Sequence, residues 1–576
     1  MGQDMNEGSL IKKLMVDLRP ERAMLLLGMV LYIPLTLLGI IQPVIIGYGV
    51  QHGMLTTAHH LIAYFALLLV VAVSLHSLIE LIQGLCLQVA GQKLVETLRQ
   101  HAFSKVMRLP LGFLDNTPMG KLLTRLSNDA ESVAELFSMG AVQIIGDLLF
   151  LFGTFVMLWI VDIKLTCYAA LVLPVLGLGV YFFRIWTKRA FIAVRGVLSN
   201  LNGFLQEYLS GIATVQWSGN LQDSLGQFHA LNQEYLGVNR QAVLLEAAIY
   251  SFVDALSYCA SAAVLWGTFS MKLDHALALG TMVAFLEALS RFFQPIRELS
   301  NRYAIFQSAL VSLERIYDLL TWPEEDDRPV LKPHSFSQAI VFKNVSFAYE
   351  QGEPVLKDLS FTINKGERVA LVGHTGAGKS TVIKLLNRFY EASSGGIFID
   401  DININNLSLG QVRTLVSVVP QDVFLFNGTI KENLCFANVQ ASDEELWHAL
   451  KVVEMQASIQ ERGGLAAEVQ SRGQNFSLGE RQLLAFARAL IANPPILVLD
   501  EATASVDART ENRLQLATRE LLKSRTSLVI AHRLSTIIDA HRIIVFDHGR
   551  LVETGKHEEL MASGGLYARF IRLQQK

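Results

Sequence analysis

Residues Gly373-His374-Thr375-Gly376-Ala377-Gly378-Lys379-Ser380 match G-x-x-x-x-G-K-[ST], and their flanks decide how the second half of the chain folds. Before them runs the strand-like Glu367-Arg368-Val369-Ala370-Leu371-Val372, and after them Thr381–Phe389 has a helical pattern. Strand, glycine-rich loop and helix together form a context in which backbone N–H groups close around phosphates at a helix amino terminus. Lys379 is expected to reach the β- and γ-phosphates of a nucleotide, and Ser380 to ligate its Mg2+. Further on, Ile496-Leu497-Val498-Leu499-Asp500-Glu501 is an apolar run ending in two carboxylates. It reads as a buried strand delivering them to the carboxyl edge of a sheet, where ligands bind. Asp500 suits the Mg2+ shell, and Glu501 a base that polarises the attacking water.

The rest of the chain has another texture. Its 576 residues are 51% hydrophobic and only 18% charged, against about 25% charged in soluble domains. A net charge of −3 gives no pull toward nucleic acid. Four scattered cysteines, Cys86, Cys167, Cys259 and Cys435, make no disulfide scaffold. The hydrophobicity gathers before the acidic, proline-flanked stretch Trp322-Pro323-Glu324-Glu325-Asp326-Asp327-Arg328-Pro329. The expected division is a membrane domain over 1–320, a linker over 321–338 and a nucleotide-binding domain over 339–576. Six apolar spans are expected near 23–50, 60–88, 136–160, 165–183, 244–270 and 279–300, each long enough to cross a bilayer.

Spans three and four are separated only by the short turn holding Asp162 and Lys164, and spans five and six by Met271–His275. The two long connections carry Lys93, Arg99, Lys105, Arg108, Lys121 and Arg125, and then Arg184, Lys188, Arg189 and Arg195, which places them in the cytoplasm. The amino terminus, with Lys12, Lys13, Arg19 and Arg22, belongs on the same side, and six crossings return the second half there too. The start does not read as a signal peptide. Leu10, Ile11, Leu14, Met15 and Leu18 instead suggest an interfacial helix. No proline interrupts Leu61–Met107, so one helix is expected to run about 70 Å at 1.5 Å per residue. Only about 30 Å of that fits in hydrocarbon, and the remainder reads as a cytoplasmic stalk.

With both phosphate elements in place, the chain resembles a half-transporter of the ATP-binding cassette (ABC) exporters over nearly its whole length. The implied fold is six transmembrane helices followed by an α/β P-loop ATPase. Gly473-Gln474-Asn475-Phe476-Ser477-Leu478-Gly479-Glu480-Arg481-Gln482 resembles the family signature, usually Leu-Ser-Gly-Gly-Gln. Val419-Pro420-Gln421-Asp422 looks like the Q-loop, Ser505-Val506-Asp507 the D-loop, and Ala531-His532-Arg533 the switch histidine. Tyr349 sits where the family stacks an aromatic ring on adenine, and Ala467–Gly473 resembles the exporter segment that touches intracellular loops.

The resemblance implies two cassettes meeting head to tail. Each ATP then lies between the P-loop of one cassette (Gly373 to Thr381) and the signature Ser477 and Gly479 of the other. Gln421 would sense the Mg2+ and water site, and His532 would hydrogen-bond the γ-phosphate and orient Glu501. Two segments match the family's coupling helices, around Leu111–Asn116 and Gln216–Asp223. The pattern departs at Leu478, where the family prefers glycine, and at Glu480, where it prefers glutamine. Intact Glu501 and His532 beside an altered signature resemble one half of the heterodimeric bacterial exporters, so a second, different half-transporter is the expected partner. A homodimer is the alternative.

Ionisable residues within or near the spans, His76, Glu80, Asp147, Glu246, Asp254, Glu287 and Arg291, are costly in lipid and are expected to face a bundle interior. Glu287 and Arg291, four apart, are expected to pair. Phe285, Phe292 and Phe293 are expected to pack between helices rather than line a cavity. No peptidase-like Cys/His segment stands before the spans, which argues against a leader-cleaving peptide exporter. The implied activity is ATP-driven export, or lipid flipping, of a hydrophobic or amphipathic substrate. A regulatory cassette that binds ATP without pumping is disfavoured by the intact Glu501 and His532, and a DNA-repair ATPase by the spans.

Overall fold

A computed structural model describes residues 13–14, 16–17, 19–55, 59–270, 275–325, 327, 335–349, 352–500, 508–523, 525–531 and 534–574. It divides into two compact units, Met1–Met107 with Pro118–Trp322, and Arg108–Thr117 with Pro323–Lys576.

The first unit is helical. Among the described residues, five stretches are long and apolar enough to cross a membrane: Arg22–His52, His60–Val106, Ala141–Val161, Ile163–Ser210 and Leu221–Ser270. The sixth expected span falls within the helix His275–Thr321, whose apolar run is broken by Glu287, Arg291 and Pro295. Several helices outrun the apolar stretches. The span expected to end at 183 continues to Ser210, and the one expected to begin at 244 starts at Leu221. Span three begins as a regular helix at Ala141, after a π-turn over Leu136–Gly140. Apolarity marks only the part suited to lipid, while the backbone hydrogen bonds of a helix continue wherever no breaker stands.

The turn between spans three and four is closed by Asp162, whose carboxylate accepts the N–H groups of Lys164 (2.9 Å) and Leu165 (3.0 Å) as an N-cap. Of the interfacial helix expected around Leu10–Leu18, most lies outside the described residues. Leu14 is buried, and Asp17 accepts a hydrogen bond from Tyr317 Oη (2.5 Å). Burial and that carboxylate together push the Tyr317 hydroxyl well above its ordinary range.

The helix His59–Val106 spans 48 residues, about 72 Å. Its latter half buries Ala90, Leu94 and Leu98, spaced four apart, against Ala130, Val133, Leu313 and Ile316. A second core holds Phe285, Phe292 and Phe293 with Val253, Ala260 and Val264, so these rings do pack between helices. Three pairs of membrane charges form: Arg291 Nε lies 3.0 Å from Glu287, Arg302 is 2.6 Å from Asp147, and Arg297 pairs with Asp254; Glu80 and Glu246, expected to face a bundle interior, are instead exposed on the outside of their helices. His76 and Glu80 approach to 3.8 Å. A polar cavity of about 260 Å³ is lined by His76, Asp147, Arg291, Gln294, Glu298 and Arg302.

The second unit is built on two sheets. The antiparallel one runs β2 (Leu356–Asn364), β1 (Ala339–Phe347), β4 (Ser394–Ile399), β5 (Ile402–Asn403). The other runs β12 (Arg550–Gly555), β11 (Arg542–Asp547), β3 (Arg368–Gly373), β10 (Thr526–Ile530), β9 (Ile496–Asp500), β6 (Val416–Val419), parallel except for β12. The central strands are buried on both faces, and their continuous Val, Ile and Leu runs follow from that. Between the sheets, Phe342 stacks on Phe361 with centroids 4.4 Å apart, in one core with Val382, Leu386, Val498 and Leu528. A helical lobe holds the short pair β7 (Gly428–Thr429) and β8 (Glu468–Val469) and a separate core of Leu425, Ile430, Leu446, Phe476 and Leu483.

Asp400 ties down the start of β1. It accepts the N–H groups of Ser337, Gln338 (2.6 Å) and Ala339 (2.9 Å) and the Ser337 hydroxyl (3.0 Å). Burial alone would raise its pKa, but these four donors outweigh it and hold the carboxyl below its ordinary 3.8. Phe342 is 1% exposed. Phe342→Ala is therefore expected to destabilise the ATPase unit by about 3–5 kcal/mol, measured as an earlier loss of nucleotide binding on heating.

Candidate functional site

Lys379 is the centre of the phosphate loop. The loop leaves the carboxyl end of β3 at Gly373 and enters the helix Lys379–Leu386, with Gly376 and Gly378 at φ +85° and +100°. Two glycines are required by space. A Cβ on Gly373 would stand 2.4 Å from the Phe546 carbonyl oxygen, and one on Gly378 would stand 2.7 Å from Leu356 Cδ2 in a left-handed conformation. Lys379, 6% exposed, donates to the carbonyls of Gly373 (2.6 Å) and His374 (2.8 Å). Burial lowers its ammonium below the ordinary 10.5, and the charge of Asp500 pulls the other way. Asp500 ends β9 in register with Ile530 of β10, which also pairs with Leu371 of β3. The sheet thus brings the two phosphate elements to one edge, a strand apart.

The other expected residues fall into three groups. Ala377 is buried under the loop, while His374, Thr375, Gly376 and Ser380 are exposed. The His374 ring packs on Phe570 of the carboxyl-terminal helix at 4.4 Å, a contact with no sequence signal. Thr381 is buried, and its hydroxyl lies 3.1 Å from Tyr349 Oη, which brings Tyr349 beside the loop. Gln421 is exposed just past β6, the neighbour of β9. Ser380, Gln421 and Asp500 offer hydroxyl, amide and carboxylate oxygens, a hard donor set that suits Mg2+. Ser477 and Gly479 belong to the helical lobe, whose core is not that of the P-loop. Glu501, Asp507 and His532 lie outside the described residues.

Comparison with known proteins fits this geometry. Residues 25–296 match the ABC transporter transmembrane region and residues 356–504 match ABC transporter. The uncharacterized ABC transporter ATP-binding protein YknV of Bacillus subtilis is 39% identical over 84% of this chain and 81% of its own length. The chain belongs to the ABC transporters. An ATP-dependent lipid A-core flippase of Legionella pneumophila is 32% identical, covering 88% of this chain and 87% of that one. The probable multidrug resistance ABC transporter ATP-binding/permease protein YheH of Bacillus subtilis is 35% identical, covering 86% and 74%. A bacterial Atm1-family ABC exporter with ATP bound superposes with a TM-score of 0.75 at 27% identity, over 99% of both chains. The chain is accordingly a multi-pass membrane ATPase of exporter type that binds ATP and drives export, and such exporters work as dimers.

Within the transporter, the short helix Leu111–Asn116 belongs to the same compact unit as the ATPase. Its Asp115 accepts from Tyr390 Oη (2.7 Å) and from Lys384 Nζ (3.0 Å). Lys384 in turn lies over the rings of Tyr349 and Tyr390, at 5.6 and 5.5 Å, and those rings meet edge to face at 5.1 Å. A continuous set of contacts thus joins Tyr349 to this helix. Sequence reading singled out its two ends but not Lys384 or Tyr390, because the partners are 269 and 275 residues from Asp115.

Burial works to raise the Asp115 pKa, but Tyr390 and Lys384 outweigh it and hold the carboxyl below 3.8. A folded pKa below the unfolded one gives stability that is present above 3.8 and lost as pH falls through the folded value. Asp115→Ala is expected to loosen this helix at neutral pH, seen as faster amide hydrogen exchange over residues 111–116. Wild type should keep its protection down to about pH 4.

Proposed function

We propose that the chain is one half of a heterodimeric exporter of the cytoplasmic (inner) membrane, with its amino terminus and ATPase in the cytosol. Its domains are 1–320, 321–338 and 339–576, and it moves a hydrophobic or amphipathic substrate. The observation that carries this reading is Lys379 and Asp500 at one sheet edge in a chain that also holds membrane-crossing helices. The relatives reported above include a lipid A-core flippase and a probable multidrug resistance transporter, which supports an amphipathic substrate. So does the membrane cavity, where His76, Gln294 and paired charges offer polar partners beside apolar helix faces.

In this reading Tyr349 stacks on adenine, and the loop from Gly373 to Thr381 wraps the phosphates. Lys379 neutralises charge developing on the γ-phosphate. Ser380, Gln421 and Asp500 hold Mg2+, which when bound supplies further positive charge to the phosphate oxygens. Glu501 polarises the attacking water, and His532 orients Glu501 and bonds the γ-phosphate. Asp507 stands at the interface with the second cassette. The partner's signature closes over this ATP, just as Ser477 and Gly479 close over the partner's. Closure and release of the cassettes drive alternating access.

The case for a non-identical partner rests on Leu478, which is 37% exposed at the first position of the signature helix, where a glycine would leave the backbone bare. Two experiments test the proposal. Glu501→Gln should lower ATP turnover by about 100-fold or more and trap a closed, ATP-bound dimer; unchanged turnover refutes the assignment of the base. Purification of the chain expressed alone should yield no efficient ATPase, and a stable ATP-hydrolysing homodimer would sink the heterodimer reading.

A further inference from the structure

The second departure in the signature, Glu480, raises an electrostatic question. It is the third residue of the helix Leu478–Ala492, whose amino terminus is the part that faces a nucleotide across the dimer in the reading above. A helix amino terminus carries about half a positive charge, which is why phosphates settle there. An unpaired carboxylate on its first turn carries a full negative charge and would reverse that sign.

The carboxylate is not left unpaired. Arg462 Nη2 lies 3.0 Å from Glu480 Oε1 and 3.3 Å from Oε2. The remaining acceptor positions are filled from behind by the N–H of Ser477 (2.9 Å) and the Ser458 hydroxyl (3.4 Å). The Ser477 hydroxyl accepts the N–H of Glu480 (3.2 Å), completing a capping box, and keeps its own proton to donate. The same guanidinium lies 4.6 Å over the ring of Phe476, and its Nη1 donates to the carbonyl of Asn475 at 2.9 Å. Asn475 is itself tied to Glu468 and Gln470. One side chain thus grips the approach to the signature at Asn475, Phe476 and Glu480. The Glu480 side chain is only 16% exposed, so solvent screens the pair less than an open surface contact.

We infer that Arg462 is a positioning residue for ATP binding across the dimer. It turns Glu480 back and cancels its charge, so that Ser477 and Gly479 present a net-positive helix end to the partner's triphosphate. The altered residue at 480 is then compensated within the chain, and Leu478 is the departure that still bears on the site. The inference rests on the head-to-tail dimer proposed above.

Equilibrium ATP binding to the full-length assembled transporter, read at the site that the partner's P-loop forms with this signature, tests it. Arg462→Ala should raise the Kd for ATP at that site about tenfold, and the defect should shrink as ionic strength rises. Adding Glu480→Gln removes the stranded charge and should restore the Kd to near the wild-type value. Arg462→Lys, which keeps the charge, should stay close to wild type. An unchanged Kd in Arg462→Ala, or a double variant no better than Arg462→Ala alone, overturns the inference; the second result would mark Arg462 as merely structural. Failure of Glu501→Gln to trap a dimer strikes the underlying dimer reading instead, and is read in the chain with Arg462 intact.

Discussion

Phosphate binding depends on how the central sheet holds β3. The loop leaves β3, which is fixed between β10 and β11, at Gly373, where the Phe546 carbonyl fills the space a Cβ would need, and Lys379 ties it to the carbonyls of Gly373 and His374. The same pairing sets Asp500 one strand away, so that the lysine ammonium and the carboxylate feel each other's charge.

A second constraint operates in the membrane unit, where charges in an apolar setting must be paired. Arg291 with Glu287, Arg302 with Asp147 and Arg297 with Asp254 satisfy it. The first pair is local, four residues apart on one helix. The other two join different helices and therefore fix helix register as well as charge. Asp147, Arg291 and Arg302 from these pairs also line the membrane-unit cavity, together with His76, Gln294 and Glu298.

The nucleotide-binding unit joins pieces that lie far apart in the chain through a few polar and aromatic contacts. Asp115, Tyr390, Lys384 and Tyr349 form one such chain of contacts, and Arg462 with Glu480 another. Both use a cation held between a carboxylate and an aromatic face, an arrangement that keeps charge and packing in one place. The signature therefore departs from its family in wording more than in electrostatics, apart from Leu478.

Much was legible in the residues themselves. The glycine spacing before Lys379, the run ending at Asp500 and the apolar stretches each have a local physical cause, and the order of motifs named the family. Helix ends were less legible, because hydropathy reports the preferred solvent and not where backbone hydrogen bonding stops; hence Ser210 in place of 183 and Leu221 in place of 244. Tertiary structure alone decided that Glu480 turns back onto Arg462, that Asp115 meets Lys384 and Tyr390, and that Arg302 answers Asp147. The partners stand from 18 to 275 residues apart, beyond any helical spacing, and no local pattern says which charge a folded chain brings to which.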